Sequence, residues 1–185
     1  MSAGVRKLAL TAHVIASLGW LGAIVVFLAL GVVGLTSQDP QTVRGVYIVM
    51  EPAAWSVLVP FAFSSLLTGV VSSVGTQWGL FRHYWIVVKL VITAFATIVL
   101  LVYMPTFRVM AERAADLTVD LSVVRNVSPV LHATLALLTL LMPTLLSVYK
   151  PRGMTRYGWR QQGKQRARVH DDDAARTSKV MRVDP

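Results

Sequence analysis

Residues 8–38 read LALTAHVIASLGWLGAIVVFLALGVVGLTSQ, 31 positions without a single Asp, Glu, Lys or Arg. About 20 apolar residues in a helix cross a hydrocarbon layer of about 30 Å. In lipid such a run must be helical, because a lone strand leaves its backbone groups without partners. The stretch is therefore predicted to be a transmembrane helix. It is too long for a signal-peptide core, and no convincing small-x-small cleavage site follows it, so it is expected to be retained. Three further runs have the same character: 52–81, 84–104, where Lys89 is the one interruption, and 126–149.

The rest of the composition agrees. Of 185 residues, 55% are hydrophobic and 15% charged, against about 25% charged in an average globular domain. Fourteen of the 27 charged residues lie in the last 36 positions. A soluble enzyme, a nucleic-acid reader and a disordered chain are all excluded by that distribution. The formal charge of +9 sits mainly beside a membrane segment, where anionic lipid head groups are the economical partner and nucleic acid is not. With no cysteine in the chain, disulfides, thiolate zinc sites, Cys-ligated clusters and covalent haem attachment are ruled out.

Loop charges set an orientation. Four spans put the N-terminus, the middle loop and the C-terminus on one side. That side carries Arg6, Lys7, Arg82 and ten basic residues from Lys150 to Arg182; the other carries Arg44, Arg108, Arg113 and Arg125. The positive-inside rule then predicts cytoplasmic termini. The expected fold is an all-α membrane protein of the bacterial plasma membrane: a four-transmembrane-helix bundle over 1–150, with spans near 8–35, 52–75, 84–104 and 128–149. Residues 151–185 are expected to form a basic, disordered cytoplasmic tail.

Local signals refine the ends. Ser128-Pro129 reads as a helix start with Ser at the N-cap and Pro at N1. Pro52 after Glu51 is expected to start the second span in the same way, with Glu51 as its cap. Pro60 and Pro143 should kink their helices and Pro105 should end one, although 106–117 keeps a helical spacing of apolar residues outside the membrane.

Ionisable residues inside spans are costly and are functional candidates by default. With a rise of about 1.5 Å per residue, His13 falls about 13 Å and Lys89 about 6 Å to the inner side of the midplane. His132 falls about 10 Å and Glu51 about 13 Å to the outer side. An inner pair, His13 with Lys89, and an outer pair, His132 with Glu51, follow. Two plainer readings stand beside them: Lys89 snorkels to the interface, with Trp85 as an interfacial anchor, and His13 is a buried imidazole bonded to a neighbouring helix. The outer side also holds Met50, Met104 and Met110, which with His132 make a soft donor set suited to Cu(I), or simply fill the core. Serines and threonines of the second span, from Ser64 to Ser73, are expected to bond their own helix or a neighbour.

Several of these residues carry a resemblance. His13 is followed by Trp20 seven positions later; Arg44 precedes Met50-x-Pro-Ala-Ala; Trp85-x-x-x-Lys89 enters the third span. The combination, over about residues 8 to 150, resembles the four-helix bacterial membrane superfamily of the HemJ-type protoporphyrinogen oxidase. It also looks like the related copper-resistance D-like proteins and uncharacterised integral membrane proteins of that group. By motif position, the resemblance implies haem b, with His13 as a ligand of the haem iron and Lys89 as a ligand or catalytic partner. Trp20, Trp85 and Arg44 would lie in the cofactor-binding region. The chain departs from that pattern in His132, in the length of 129–151 and in the loop 111–124.

Three functions follow as expectations. One is a haem-b protein in tetrapyrrole oxidation or membrane electron transfer, a protoporphyrinogen oxidase-like oxidoreductase. Another is a copper-handling membrane protein using the outer His and Met residues. The last is a non-catalytic accessory or scaffold subunit. A homodimer or other membrane-complex subunits are possible partners in each.

Overall fold

A computed structural model describes residues 2–74, 84–149 and 160; the tail, and the middle loop with Arg82 and His83, lie outside the described residues. The described residues form helices and no strand: α1 (Ala3–Thr36), α2 (Pro40–Ala53), a π-helical turn (Ala54–Leu58), α3 (Val59–Val74), α4 (Tyr84–Ala115), the single turn α5 (Leu121–Val124) and α6 (Ser128–Tyr149). Four helical stretches are long and apolar enough to cross a membrane: Gly4–Thr36, Pro40–Val74, Tyr84–Ala115 and Leu121–Leu146.

Helix ends follow capping chemistry, with three departures from expectation. The second long helix starts at Pro40, not Pro52. The short Asp39 carboxylate accepts from the N–H groups of Gln41 and Thr42, and Pro40 follows it at the first helical position, where a missing N–H costs nothing. Glu51 therefore caps nothing. It lies inside a helix that runs on through Pro52, and the π-helical turn Ala54–Leu58 directly after it absorbs the misfit. A proline removes one ladder bond and crowds the carbonyl four residues back; a wider turn is a usual accommodation. Here Val59 N–H reaches Ala54 O, and the Ser56 hydroxyl donates to Pro52 O at 2.7 Å.

Pro105 does not end α4, which continues to Ala115. Apolar spacing beyond the proline, with Phe107, Met110, Ala111 and Ala114 all buried, holds the helix against its neighbours and outweighs the one lost bond. Ser128 does begin α6, but the cap is Asn126, whose Oδ1 accepts from Ser128 N–H at 2.8 Å. The Ser128 hydroxyl is engaged elsewhere, by Tyr103 and His132.

The four long stretches pack as a closed ring. The first touches the second and fourth, and the third touches the second and fourth. Lipid gives helices no hydrophobic reason to associate, so close packing and interhelical hydrogen bonds must hold them. Three glycines of α1 show the first at work. A Cβ on Gly19 would fall 2.5 Å from the Phe61 ring, on Gly31 2.9 Å from Val130 Cγ2, and on Gly34 3.0 Å from the Tyr47 ring. One helix thus admits α3, α6 and α2 at close range. Trp20, Phe27, Tyr47, Met50, Tyr103 and Phe107 fill the centre, where Phe27 and Phe107 meet edge-on with centroids 5.5 Å apart.

The periphery is as apolar as the core. Leu18 is 62%, Val102 74% and Leu135 61% exposed. A water-soluble bundle hides such side chains behind a charged face; this one presents them outward, as a lipid-facing bundle does.

Candidate functional site

The first site, at the end of the bundle that holds the N-terminus and is called inner for that reason alone, is built on the seam between α1 and α3. His13 and Ser17 lie one turn apart on α1; Ser65, Thr68, Gly69 and Ser72 occupy one face of α3 at helical spacing. The Ser17 and Ser65 hydroxyls are 2.9 Å apart. His13 Nδ1 is 3.1 Å from Ser65 O and 3.3 Å from Thr68 Oγ1. A carbonyl only accepts, and the Thr68 hydroxyl already donates to Ser64 O, so Nδ1 must carry the proton and donate. That fixes the neutral ring in one tautomer, with the lone pair on Nε2. No hydrogen bond among the described residues uses Nε2.

Gly69 provides the space for this ring: a Cβ there would lie 3.0 Å from His13 Cε1 and 3.4 Å from Nδ1. One turn further along α3, the Ser72 hydroxyl is shielded and has no hydrogen-bond partner among the described residues. Lys89 lies near the start of α4, and its Nζ is 4.7 Å from the centroid of the Trp85 ring, one helical turn earlier. Trp20, 3% exposed, lies two turns deeper on α1, within the core.

The outer residues divide. His132 is exposed on α6, stacked on Tyr103 at 4.0 Å between centroids and 24° between planes. Its Nδ1 donates to Ser128 O at 2.9 Å, and the Tyr103 hydroxyl donates to Ser128 Oγ at 2.8 Å. Met50, Met104 and Met110 are all in the apolar core, each at most 4% exposed. Glu51 is not beside His132. It borders an open groove of about 590 Å³ between α2 and α4, with Trp55 and Glu112 on its walls, and Glu112 pairs with Arg108 at 3.0 Å. Tyr103 and Glu112 are nine residues apart on α4, about 13 Å along its axis. Among the described residues no group of three or more His, Cys, Asp or Glu is placed to hold a metal ion.

Arg44 has a different task from the cofactor contact implied by resemblance. Its guanidinium donates to Ala114 O at 3.0 Å, Asp116 O at 2.7 Å and Val119 O at 2.5 Å. Arg125 does the same at the end of α1, to Leu35 O at 2.5 Å and Ser37 O at 2.6 Å. Tyr47 completes the outer end: its hydroxyl donates to Asn126 O and accepts from Asn126 N–H. Sequence reasoning missed Arg125, Tyr47, Asn126 and Tyr103. Only their position beside predicted helix ends hinted at them, and the partners are main-chain atoms that no sequence pattern reveals. Gly69 was missed as well, since its importance depends on which ring faces it.

The chain matches no family model, no curated protein and no solved structure.

Proposed function

We propose that this chain is a four-span protein of the bacterial plasma membrane, with cytoplasmic termini, which binds haem b through His13 Nε2. Within that reading it acts in tetrapyrrole oxidation or membrane electron transfer. The observation that carries it is the tautomer of His13. Metal-ligating histidines characteristically donate their other ring nitrogen to a carbonyl or carboxylate, which orients the ring and raises its basicity. His13 has that arrangement with Ser65 O, Gly69 leaves its ring room, and Nε2 remains as donor. The donor chemistry thus fits haem iron. Haem supplies one-electron redox chemistry; the protein supplies ligation, orientation and a low-dielectric surrounding.

The copper reading has weaker support. No hydrogen bond among the described residues uses His132 Nε2, but the three thioethers are packed within the core. A scaffold role would leave the His13 tautomer as helix-joining chemistry only. Orientation rests on the asymmetry of loop charge, and the basic residues beyond Tyr149 favour contact with anionic lipid.

The deciding experiment is an absorption spectrum of the protein in mild detergent, oxidised and dithionite-reduced, beside His13→Ala. A Soret band with α/β bands that sharpen on reduction, lost in the variant, supports the reading. A featureless spectrum after haem supplementation rejects it.

A further inference from the structure

The open groove between α2 and α4 has no part in the His13 site. Its volume of about 590 Å³ is within the range of small-molecule pockets. Ile48, Glu51 and Trp55 line one wall, Ala111, Glu112 and Ala115 the other. The first three follow one another at helical spacing and share a face; Ala111 and Ala115, one turn apart on α4, are small and leave the space opposite. The two carboxylates are not equivalent. Glu112 pairs with Arg108 at 3.0 Å, and both side chains are exposed. Glu51 is half-buried and has no hydrogen bond or ion pair among the described residues. An ionisable group on a membrane-spanning helix is costly without a partner. Trp55, one turn further along, is 53% exposed, and the face of an indole attracts cations through its quadrupole. An uncompensated negative charge one turn from an accessible aromatic face suits a substituted ammonium.

Depth identifies the medium around the groove. The stretches Pro40–Val74 and Tyr84–Ala115 have 35 and 32 residues, about 52 and 48 Å of helix, against a hydrocarbon layer of about 30 Å. About 20 Å of each must stand outside that layer. Charge shows at which end. Between 40 and 74 the charged residues are Arg44 and Glu51; between 84 and 115, Lys89 apart, they are Arg108, Glu112 and Arg113. All of these lie toward the outer end, where α2 begins and α4 finishes. The uncharged remainder of the second stretch, 52–74, spans about 35 Å and fills the hydrocarbon layer. Glu51 therefore sits where hydrocarbon gives way to head groups. Trp55, about 6 Å deeper, has the interfacial position characteristic of tryptophan.

We infer that this groove receives the head group of an amine-bearing phospholipid, with its ammonium held by the Glu51 carboxylate and the Trp55 ring. A soluble organic cation would match the charge alone. A lipid matches the charge, the depth and the open side of the groove, where Ile48 and Trp55 are exposed apolar walls along which acyl chains can lie. Glu112 adds a second negative charge, offset by its pairing with Arg108. The inference is independent of the haem reading and of which leaflet the outer end occupies.

The test is native mass spectrometry of the delipidated full chain in mild detergent. It is titrated with phosphatidylethanolamine, with N-acetyl-phosphatidylethanolamine, whose amine is blocked, and with phosphatidylglycerol, all with the same acyl chains. Wild type is compared with Glu51→Gln, Glu51→Asp, Trp55→Leu and Arg108→Gln, each first shown to keep its helical circular dichroism and elution volume. A hydrogen bond to a charged group corresponds to about tenfold in affinity, so wild type should prefer phosphatidylethanolamine to either other lipid by about that factor. This comparison needs no variant. Glu51→Gln should remove the preference without weakening the other two lipids, and Glu51→Asp should recover part of it. Trp55→Leu should weaken phosphatidylethanolamine by about threefold. Arg108→Gln, which releases Glu112, should strengthen the preference. Equal binding of the three lipids by wild type, or a preference that survives Glu51→Gln, would overturn the inference. Loss of all three lipids in Arg108→Gln would overturn it too, because the phosphate and not the amine would then be the group recognised. Displacement of the lipid by dodecylammonium at equal concentration would make the groove a site for soluble organic cations and overturn the lipid assignment.

Discussion

The two ends of this bundle treat their polar groups differently. At the outer end, α1 and α4 reach their C-termini, where the last carbonyls have no helical partners and carry the negative end of the helix dipole. An arginine meets each of them: Arg125 the end of α1 through Leu35 O and Ser37 O, Arg44 the end of α4 through Ala114 O and Asp116 O. Both guanidiniums donate to main-chain carbonyls. At the inner end the seam of His13, Ser17, Ser65 and Thr68 is also bonded, yet it leaves His13 Nε2 without a hydrogen bond among the described residues; Ser72 Oγ, further along α3, has none there either. Saturated hydrogen bonding marks a structural lock; leftover, oriented capacity marks a place for a ligand.

If that contrast is right, variants of the outer arginines must act on stability and those of the His13 seam on binding. Arg44→Met should have the largest effect, because it orphans three carbonyls and removes charged hydrogen bonds, each worth about 1.5–3 kcal/mol. We expect a loss of about 3 kcal/mol in detergent, followed as the thermal midpoint by circular dichroism, with haem binding by any surviving folded protein unaltered. Arg44→Lys should recover only part, since an ammonium cannot reproduce the planar fork. A neutral result for Arg44→Met would remove the distinction between the two ends.

Glycines sharpen the comparison at intermediate cost. Gly19→Ala places a methyl 2.5 Å from Phe61 Cε1, and overpacking of this kind costs about 1–3 kcal/mol. Gly22, on the same helix, faces nothing within 4 Å, so Gly22→Ala should be neutral or gain up to about 1 kcal/mol from helix propensity. Gly69→Ala is the inner counterpart. Its Cβ presses on His13 at 3.0 Å, so the ring must shift by a few tenths of an ångström. The expected signature is a changed His13 ring nitrogen resonance in 15N NMR, with a stability change under about 1 kcal/mol. A large unfolding effect with an unmoved resonance would make Gly69 a packing residue only.

How far the sequence foretold this depends on the kind of interaction. The four spans were legible because hydropathy acts through a run of 20 or more residues and tolerates local exceptions. The placing of His13 and Lys89 near the starts of α1 and α4 was legible because depth along a helix is simple arithmetic. His132 and Glu51 were paired because their depths were counted in separate spans with separately assumed centres; His132 stacks on Tyr103, whereas Glu51 shares its groove with Glu112, about 13 Å further along α4. Pro52 and Pro40 carry the same acidic-then-proline pattern; only the reach of the Asp39 carboxylate to Gln41 and Thr42 tells the true start from the proline that a π-helical turn absorbs. Arg44 was recognised as notable, but its partners are carbonyls at positions 114 to 119, which side-chain identity does not encode.

The smallest expected effect concerns pH at the outer loop between α4 and α5. Asp116 is held below the ordinary aspartate pKa by the Thr118 hydroxyl, then by Thr118 N–H, with Arg44 assisting. Asp120 is lowered by the Ser122 hydroxyl, then Ser122 N–H, again with Arg44 nearby. A carboxylate whose folded pKa lies below its unfolded one stabilises the fold above the unfolded value and loses that contribution as pH falls through the folded one. The thermal midpoint should therefore stay level at neutral pH and begin to fall as the medium enters and passes below the ordinary carboxylate range. Both groups are fully exposed, so solvent screening keeps the effect small. Asp116→Asn should flatten the acid limb slightly, and Arg44→Lys, which keeps the charge, should preserve it. An acid limb that is unchanged in Asp116→Asn and Asp120→Asn together would mean that these turns serve only to lead the chain from α4 into α5, and that Arg44 stabilises the outer end through carbonyls alone.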